Sequence, residues 1–289
     1  MCFKIPKILI FTILVSLFFV SCTFIKSKEK KLLQEYDKFF SQITERQDYI
    51  KNISKVLALD PNILNIYKEL RSNIESFERS DKNKEIFYRY GHKLKDIFSE
   101  IIIKYERDFG LPVTYNFYIP PSQIWLIPDK PYGEDVLIED RSREKPNVVE
   151  AISKNRIISG IIIQSNALIF SSVTPIQSET GEILGAIEVW TNFSSILDHY
   201  LMGNPSAKII VFLNKDQKKY FDTLSKDFIY ENGIVYYTNI EKVDYKKTID
   251  TAMNLKDKSY LDINNKKFIV IKLYDFANRE IGRILFSIF

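Results

Sequence analysis

Residues 167–191 read ALIFSSVTPIQSETGEILGAIEVWT, and this stretch carries the clearest signal for the fold. Two runs of alternating apolar residues, 167–176 and 182–191, flank a short polar connection that ends in Gly181. Alternation with a period of two predicts β-strands, because successive side chains of a strand point to opposite faces. The polar connection with its glycine predicts that the two strands form an antiparallel hairpin.

Two further segments predict strands of the same sheet. The sequences VTYNFYI (113–119) and RIISGIIIQ (156–164) are rich in β-branched and aromatic residues. A short helix is predicted for residues 147–153, directly before the second of these strands. Together the segments predict an α+β unit of the PAS-like type with antiparallel strands.

The sequence upstream of this unit has a helical period. Apolar residues recur at spacings of three and four, for example Leu33, Tyr36 and Phe39. Asp60 and Pro61 interrupt the pattern and are typical of an N-cap and a first helical residue. A second long helix is predicted to run to residue 109. Residues 26–110 are therefore predicted to be a long helical region.

The sequence downstream of the first unit repeats its plan. The closing NREIGRILFSI (278–288) resembles TGEILGAIEVW (180–190): each has a polar turn, an apolar residue, a glycine and an alternating strand. This similarity indicates an internal repeat at the level of a module. Gly203-Asn204-Pro205 marks the predicted boundary. In the second unit, strands are predicted at 207–214 and 234–239, helices at 215–224 and 244–254, and hairpin turns at 264–265 and 277–279.

The predicted fold class is therefore α+β. A long N-terminal helix precedes two PAS-like modules with antiparallel sheets, one at 111–203 and a smaller one at 204–289.

The first 25 residues have the pattern of an export signal or membrane anchor. Lys4 and Lys7 precede a strongly apolar run, 8–20, which ends in Phe19-Val20-Ser21-Cys22. This ending is similar to a relaxed bacterial lipobox and predicts lipidation of Cys22. The alternative is an uncleaved signal anchor that spans the membrane with residues 8–25. Both interpretations anchor the protein to a membrane and place the rest of the chain outside the cytoplasm.

Composition argues against several classes of function. The two cysteines, Cys2 and Cys22, lie at the N-terminus, and the two histidines, His92 and His199, are far apart. Neither a disulfide framework nor a cysteine-ligated metal site is expected. The 41 basic and 37 acidic residues are spread along the chain, so nucleic-acid binding is not expected either. No cofactor motif, glycine-rich phosphate loop or nucleophile–base constellation is present, so the chain is not expected to be an enzyme.

Aromatic and chain-breaking residues concentrate in YNFYIPPSQIWLIPDKPYGEDV (115–136). Pro120, Pro121 and Gly133 predict rigid turns. We expect these turns to aim aromatic side chains and a carboxylate at the concave face of the sheet, where they suit a small cationic or amine-bearing ligand. The alternative is that the side chains only fill the core. The predicted ligand-binding residues are Tyr118, Trp125, Tyr132 and Asp135, with Arg141 and Glu188 as further candidates.

Three motifs in this order resemble the double Cache domains of bacterial chemoreceptors and sensor kinases over roughly residues 30–289. They are Tyr118-Ile119-Pro120-Pro121, Tyr132-Gly133-Glu134-Asp135, and Pro175 followed by Gly181 and Gly185-Ala186-Ile187-Glu188. The sequence departs from that pattern at several positions. Asn116 and Tyr118 stand where a histidine is usual, Trp125 replaces an arginine, and Ile162 and Ser171 replace an acid and an arginine. Fewer cationic donors imply that a simple organic acid is not the ligand.

The resemblance implies an extracytoplasmic sensor module for a small molecule, acting in signal transduction or chemotaxis. Because the sequence shows no second membrane segment or signalling region, a separate signalling protein is the expected partner. Two alternatives are a surface lipoprotein with a structural or interaction role, and a fragment of a chemoreceptor or sensor kinase.

Overall fold

A computed structural model describes residues 7–74, 81–120, 123–126, 136–140, 142–164, 167–220, 229–231, 234–240 and 245–288. Three helices come first: α1 (Lys7–Ala58), α2 (Pro61–Asn73) and α3 (Asp81–Phe109). Asp60 caps α2 as expected, since its carboxylate accepts hydrogen bonds from the backbone N–H groups of Asn62 and Ile63. Within the part of the chain that the structure describes, no helix has an apolar stretch long enough to cross a membrane.

The first sheet has six strands in the order β3-β2-β1-β6-β5-β4. Every neighbouring pair is antiparallel. A short helix, α4, connects β3 to β4. The elements are β1 (Thr114–Ile119), β2 (Gln123–Leu126), β3 (Val136–Asp140), α4 (Pro146–Lys154), β4 (Ile158–Gln164), β5 (Ala167–Gln177) and β6 (Ile183–Asn192).

The second sheet also has six strands, in the order β10-β11-β12-β7-β9-β8. As in the first sheet, the strand that comes first in the chain pairs with the one that comes last. Helix α5 (Phe193–Gly203) leads into it. The remaining elements are β7 (Lys208–Leu213), a 3-10 helix (Lys215–Tyr220), β8 (Ile229–Glu231), β9 (Ile234–Thr238), α6 (Tyr245–Met253), β10 (Ser259–Ile263), β11 (Lys266–Tyr274) and β12 (Glu280–Ser287).

The predicted fold class is confirmed: the chain is α+β, with long helices before two antiparallel sheets. The predicted hairpin turns are confirmed as well, because Gly181 has φ +84° and Asn264 and Asn265 have φ +48° and +61°. Pro121 and Gly133 lie outside the described residues. The treatment of 120–136 as turns alone was wrong, since β2 and β3 lie in or begin within that stretch. Strand β8 was also missed, and the helix expected from residue 215 is a 3-10 helix.

The largest apolar cluster lies between the N-terminal helices and both sheets. Phe39 of α1 stacks on Phe286 of β12 at a ring-centroid distance of 4.9 Å. Further along α1, the Ser54 hydroxyl hydrogen-bonds those of Ser172 and Thr174 on β5, each at 2.9 Å. Helix α1 therefore packs along both sheets and leaves the opposite face of the first sheet to α4.

The predicted repeat has a structural basis in two glycines. A Cβ atom on Gly185 would lie 2.2 Å from the Tyr67 ring and 2.4 Å from the Tyr118 carbonyl oxygen. A Cβ atom on Gly282 would lie 2.2 Å from the carbonyl oxygen of Phe212. Strand β6 is thus in very close contact with β1 at Gly185, and β12 is in very close contact with β7 at Gly282. The two glycines occupy equivalent positions of the repeat.

The turn between β11 and β12 joins the two sheets. The backbone N–H of Phe276 donates to the carbonyl of Ile161 on β4 at 3.0 Å. The close approach requires Gly160, because a Cβ atom there would lie 2.7 Å from Phe276 Cα. The Asp275 carboxylate accepts hydrogen bonds from the N–H groups of Ala277 and Arg279, each at 2.9 Å, which fixes the turn.

Candidate functional site

Polar side chains collect on the face of the first sheet that α4 covers. Asn116 and Tyr118 are two residues apart on β1, so they share a face, and Asn116 pairs directly with Glu188 of β6. Ser171 of β5 reaches the same carboxylate. Lys145 and Asn147 approach from the start of α4, on either side of Pro146. Strand alternation and one helix N-terminus thus converge on Glu188.

The Glu188 carboxylate accepts five hydrogen bonds from side chains that the structure describes. Oε2 accepts from Tyr118 Oη at 2.7 Å, from Lys145 Nζ at 2.7 Å and from Asn116 Nδ2 at 3.1 Å. Oε1 accepts from Ser171 Oγ at 2.8 Å and from Asn147 Nδ2 at 3.2 Å. A carboxylate offers about four lone-pair sites, so this one is fully satisfied.

Glu188 and Lys145 form a buried ion pair, with side-chain exposures of 0% and 3%. Burial raises the pKa of Glu188, but the Lys145 charge and the hydrogen bonds from Lys145, Tyr118 and Asn116 together outweigh it. They lower the pKa of Glu188 to about 2. The carboxylate is therefore ionised at neutral pH. Lys145 also donates to Gln164, which satisfies a second direction of its ammonium group.

Two buried polar atoms beside the ion pair lack a partner among the described residues. They are Asn147 Oδ1, an acceptor on a side chain that is 1% exposed, and Trp190 Nε1, a donor. Trp190 lies two residues beyond Glu188 on β6 and pairs with Ser171. Buried polar atoms are nearly always hydrogen-bonded, so this acceptor and this donor can each form one further hydrogen bond.

The structure brings two of the six predicted ligand-binding residues together. The hydroxyl of Tyr118 donates to Glu188, and both side chains are fully buried. Trp125 lies in a bulge of β2, because its neighbours Ile124 and Leu126 pair with adjacent residues of β1. The Trp125 side chain lies outside the described part of the chain. So do Tyr132, Asp135 and Arg141, and the N-terminal Cys22 side chain.

The sequence interpretation missed four residues of the polar cluster as binding candidates: Asn116, Lys145, Asn147 and Ser171. Asn116 and Ser171 had been noted only as departures from a family pattern. A usable signal was present, since both are polar residues at buried positions of strands rich in apolar residues. Ile162, another of the noted departures, is a buried residue of β4.

The polar cluster combines several kinds of chemical group. It holds an ion pair, amides and hydroxyls whose donors converge on Glu188. Across the described residues, no group of three His, Cys, Asp or Glu side chains could hold a metal ion.

The fold is similar to solved sensor domains of bacterial receptors. The sensor domain of the V. cholerae histidine kinase DctB matches with a TM-score of 0.54 at 11% identity, covering 91% of this chain and 98% of that one. The ligand-binding domain of the Campylobacter jejuni chemoreceptor Tlp3 in complex with L-valine gives 0.51 at 13% identity, covering 93% and 96%. The sensory domain of Tlp3 with isoleucine bound gives 0.50 at 13% identity, again over 93% and 96%.

At these identities the similarity establishes a shared fold. No protein-family model and no curated protein matches the chain.

Proposed function

We propose that this chain is an extracytoplasmic sensor domain of the double Cache type that binds a small molecule and acts through a separate signalling protein. The fold shared with histidine-kinase and chemoreceptor sensor domains supports this role. The proposed units are the helical region 26–110, a membrane-distal module at 111–203 and a second module at 204–289.

The observation that carries the proposal is the unpaired acceptor of Asn147 beside the buried ion pair. Burying two charges costs several kcal/mol per ion, and an apolar core of the same volume is often as stable or more so. A buried polar cluster that also leaves an acceptor unsatisfied is therefore a poor way to build a core. It is a good way to hold a ligand whose N–H group completes the hydrogen bonding.

The proposed ligand carries an amine and, next to it, a hydrogen-bond acceptor. Its ammonium group would donate to Asn147 Oδ1, and its acceptor would receive the Trp190 N–H. Trp125, Tyr132 and Asp135 would add cation–π contacts and a carboxylate, while Arg141 would face an anionic group. α-Amino acids have this chemistry, and the Tlp3 structures hold L-valine and isoleucine.

The proposed location follows from the first 25 residues. Cys22 would carry a lipid after processing, or the apolar N-terminal segment would anchor the chain directly. Substituting Cys22→Ala and labelling cells with a palmitate analogue separates the two, because only the lipoprotein loses label in the variant.

A second candidate function is a surface lipoprotein with a structural role. The saturation of Glu188 favours it, because five internal donors leave that carboxylate no site for a ligand without rearrangement. In this case Tyr118 and Trp125 would only fill the module.

Titration calorimetry of the purified full-length chain tests the proposal with three matched compounds. L-valine has both groups, isobutylamine keeps only the amine, and 3-methylbutanoate keeps only the carboxylate. We expect L-valine to bind best and 3-methylbutanoate not to bind. Asp135→Asn and Trp125→Ala should each weaken binding by about 1–3 kcal/mol, on the scale of a charged hydrogen bond or a desolvated cation–π contact.

Glu179→Gln is the control for Asp135→Asn, because the Glu179 carboxylate is 85% exposed and pairs with Lys68 on the surface. It should leave affinity unchanged. A wider screen of amines, organic acids and nucleobases by thermal shift covers other ligand classes. If nothing binds, and Trp125→Ala lowers only the melting temperature, the structural role is the correct one.

A further inference from the structure

A cavity lies where the two sheets meet α1, away from the Glu188 cluster. Its walls come from α1, from β4 and β5 of the first sheet, and from β11, the following turn and β12 of the second. It encloses about 350 Å³. An engineered cavity of about 150 Å³ is enough to bind benzene, so this one has room for a substituted ring.

The interior of this junction cavity is apolar and aromatic. The walls include Tyr36, Phe39 and Ile43 of α1, Phe170 of β5 and Ile271 of β11, all of them buried. Its exposed lining residues include Phe40, which is 53% exposed, and Tyr274, which is 44% exposed. Deep walls that are buried and a rim with exposed aromatic rings describe an open pocket for an apolar molecule.

The charged groups at this cavity are paired within the protein. Lys272 forms an ion pair with Glu280 at 2.6 Å, and Asp275 forms one with Arg279 at 2.6 Å. Neither pair leaves a lone charge to recognise an ionic ligand, so the cavity favours a neutral one. In contrast, Ser159 Oγ is buried in the lining and has no partner among the residues that the structure describes. A hydroxyl can both donate and accept one hydrogen bond to a ligand.

We propose that the junction cavity is a second ligand site, for a neutral molecule with an aromatic or aliphatic body and one hydroxyl or carbonyl group. The apolar body lies among the Phe39, Phe170 and Ile271 side chains, and its polar group hydrogen-bonds Ser159. The occupant touches α1 and both sheets at once. Binding there stabilises one relative position of the two modules, independently of the amine site.

The test uses 2-phenylethanol and its hydrocarbon counterpart ethylbenzene on the full-length chain, with saturation-transfer NMR and a competition titration. We expect saturable binding of both, tighter for the alcohol. Ser159→Ala should weaken the binding of 2-phenylethanol about three- to tenfold, which corresponds to one neutral hydrogen bond. The affinity for ethylbenzene should not change. Filling the cavity with Ile271→Trp or Ile43→Trp should abolish binding of both compounds.

The two tryptophan variants lie on different elements, α1 and β11, so misfolding of one leaves the other informative. Ile102→Trp on α3 is the matched control, because Ile102 is 6% exposed, as Ile271 is, and does not line the cavity. It should keep binding. Asn147→Leu should also keep it, which separates this site from the amine site. No saturable binding, or equal binding to wild type and to folded Ile271→Trp, would overturn the proposal.

Discussion

At three positions of the first sheet that face α4, the chain carries Asn116, Tyr118 and Glu188, and at the matching positions of the second sheet it carries Ile210, Phe212 and Leu285. The match follows from the strand registers. Glu188 is three residues after Gly185 and pairs with Asn116, and Leu285 is three residues after Gly282 and pairs with Ile210. Two residues further along β1 and β7, Tyr118 pairs with Ala186, and Phe212 pairs with Arg283.

Strands β5 and β11, which neighbour β6 and β12, show the same contrast between polar and apolar residues. Val173 pairs with Glu188, and Val270 pairs with Leu285, so the two valines occupy equivalent places. Two residues earlier in the chain, Ser171 of the first sheet corresponds to Phe268 of the second. Ile210, Phe212, Phe268 and Leu285 form an apolar cluster with α6.

The second sheet therefore shows that this topology packs with apolar residues at these positions, with the buried Arg283 beside them. A polar charge cluster at the same place in the first sheet is not demanded by the fold. It fits the recognition role proposed above, because apolar residues pack at the same positions of the second sheet.

The sharpest way to break this comparison is Glu188→Leu, which gives the first sheet the residue of the second. Lys145 would remain buried without its counter-ion, so we expect the free energy of unfolding to fall by about 3–5 kcal/mol. Urea unfolding followed by circular dichroism measures the loss.

The double variant Lys145→Met/Glu188→Leu is the control for this substitution. Because it removes both charges, it should recover part of the lost stability. Recovery is not complete, since the other four donors still lose Glu188 as their acceptor. A single variant that is as stable as the wild type would mean that Lys145 reaches solvent when Glu188 is lost.

The second prediction concerns pH. The pKa of Glu188 is lowered from 4.5 to about 2 in the folded protein, so the ionised form stabilises the fold above about pH 4.5. This contribution is lost as the pH falls from 4.5 towards 2, when the carboxylate takes up a proton. The fall in pKa corresponds to roughly 3 kcal/mol of stability, which the wild type should lose over that range. The double variant lacks Glu188 and should show no such loss.

Urea titrations at pH 6, 4.5, 3.5 and 2.5 compare the two proteins. Glu150→Gln serves as a control, because Glu150 is an acid that pairs with Lys154 and Arg156 on the surface. Parallel stability curves for the wild type and the double variant would show that Glu188 is not the group that titrates.

The smallest predicted effect concerns the two glycines that align the sheets. Gly185→Ala and Gly282→Ala should each destabilise the protein by about 1–3 kcal/mol, because the added methyl group overlaps backbone or ring atoms. Gly203→Ala is the control, since a Cβ atom there meets nothing within 4 Å. Thermal melts of the three variants measure these changes in stability. A clear difference between Gly185→Ala and Gly282→Ala would show that the two last strands are not equivalent.

Features set by local sequence could be predicted. The cap at Asp60, the hairpin at Gly181 and the turn at Asn264-Asn265 depend on a few adjacent residues, and the structure confirms each of them. Glu188 was a candidate because it ends a recognisable hairpin motif, although its role as a ligand-binding residue stays a prediction.

Features that depend on packing between segments distant in the sequence could not be predicted. Lys145 meets Glu188 across 43 residues only because α4 lies over β6, and no local pattern around Lys145 indicates that contact. Strands β2 and β3 are short and contain or adjoin prolines and charges, so they lack the apolar alternation that identified β5 and β6. Their hydrogen bonds come from β1 and from each other, which is a property of the assembled sheet.

The contact between Phe276 and Ile161 has a consequence for aggregation. Strand β4 is an edge strand of the first sheet, and its sequence is ISGIIIQ. An exposed edge strand rich in apolar residues can pair with strands of other chains. The β11–β12 turn hydrogen-bonds to that edge, and the 3-10 helix lies against it as well. The β11–β12 turn and the 3-10 helix thus cover part of the β4 edge. Without the hydrogen bond from Phe276, more of this isoleucine-rich edge would be open to pairing with another chain.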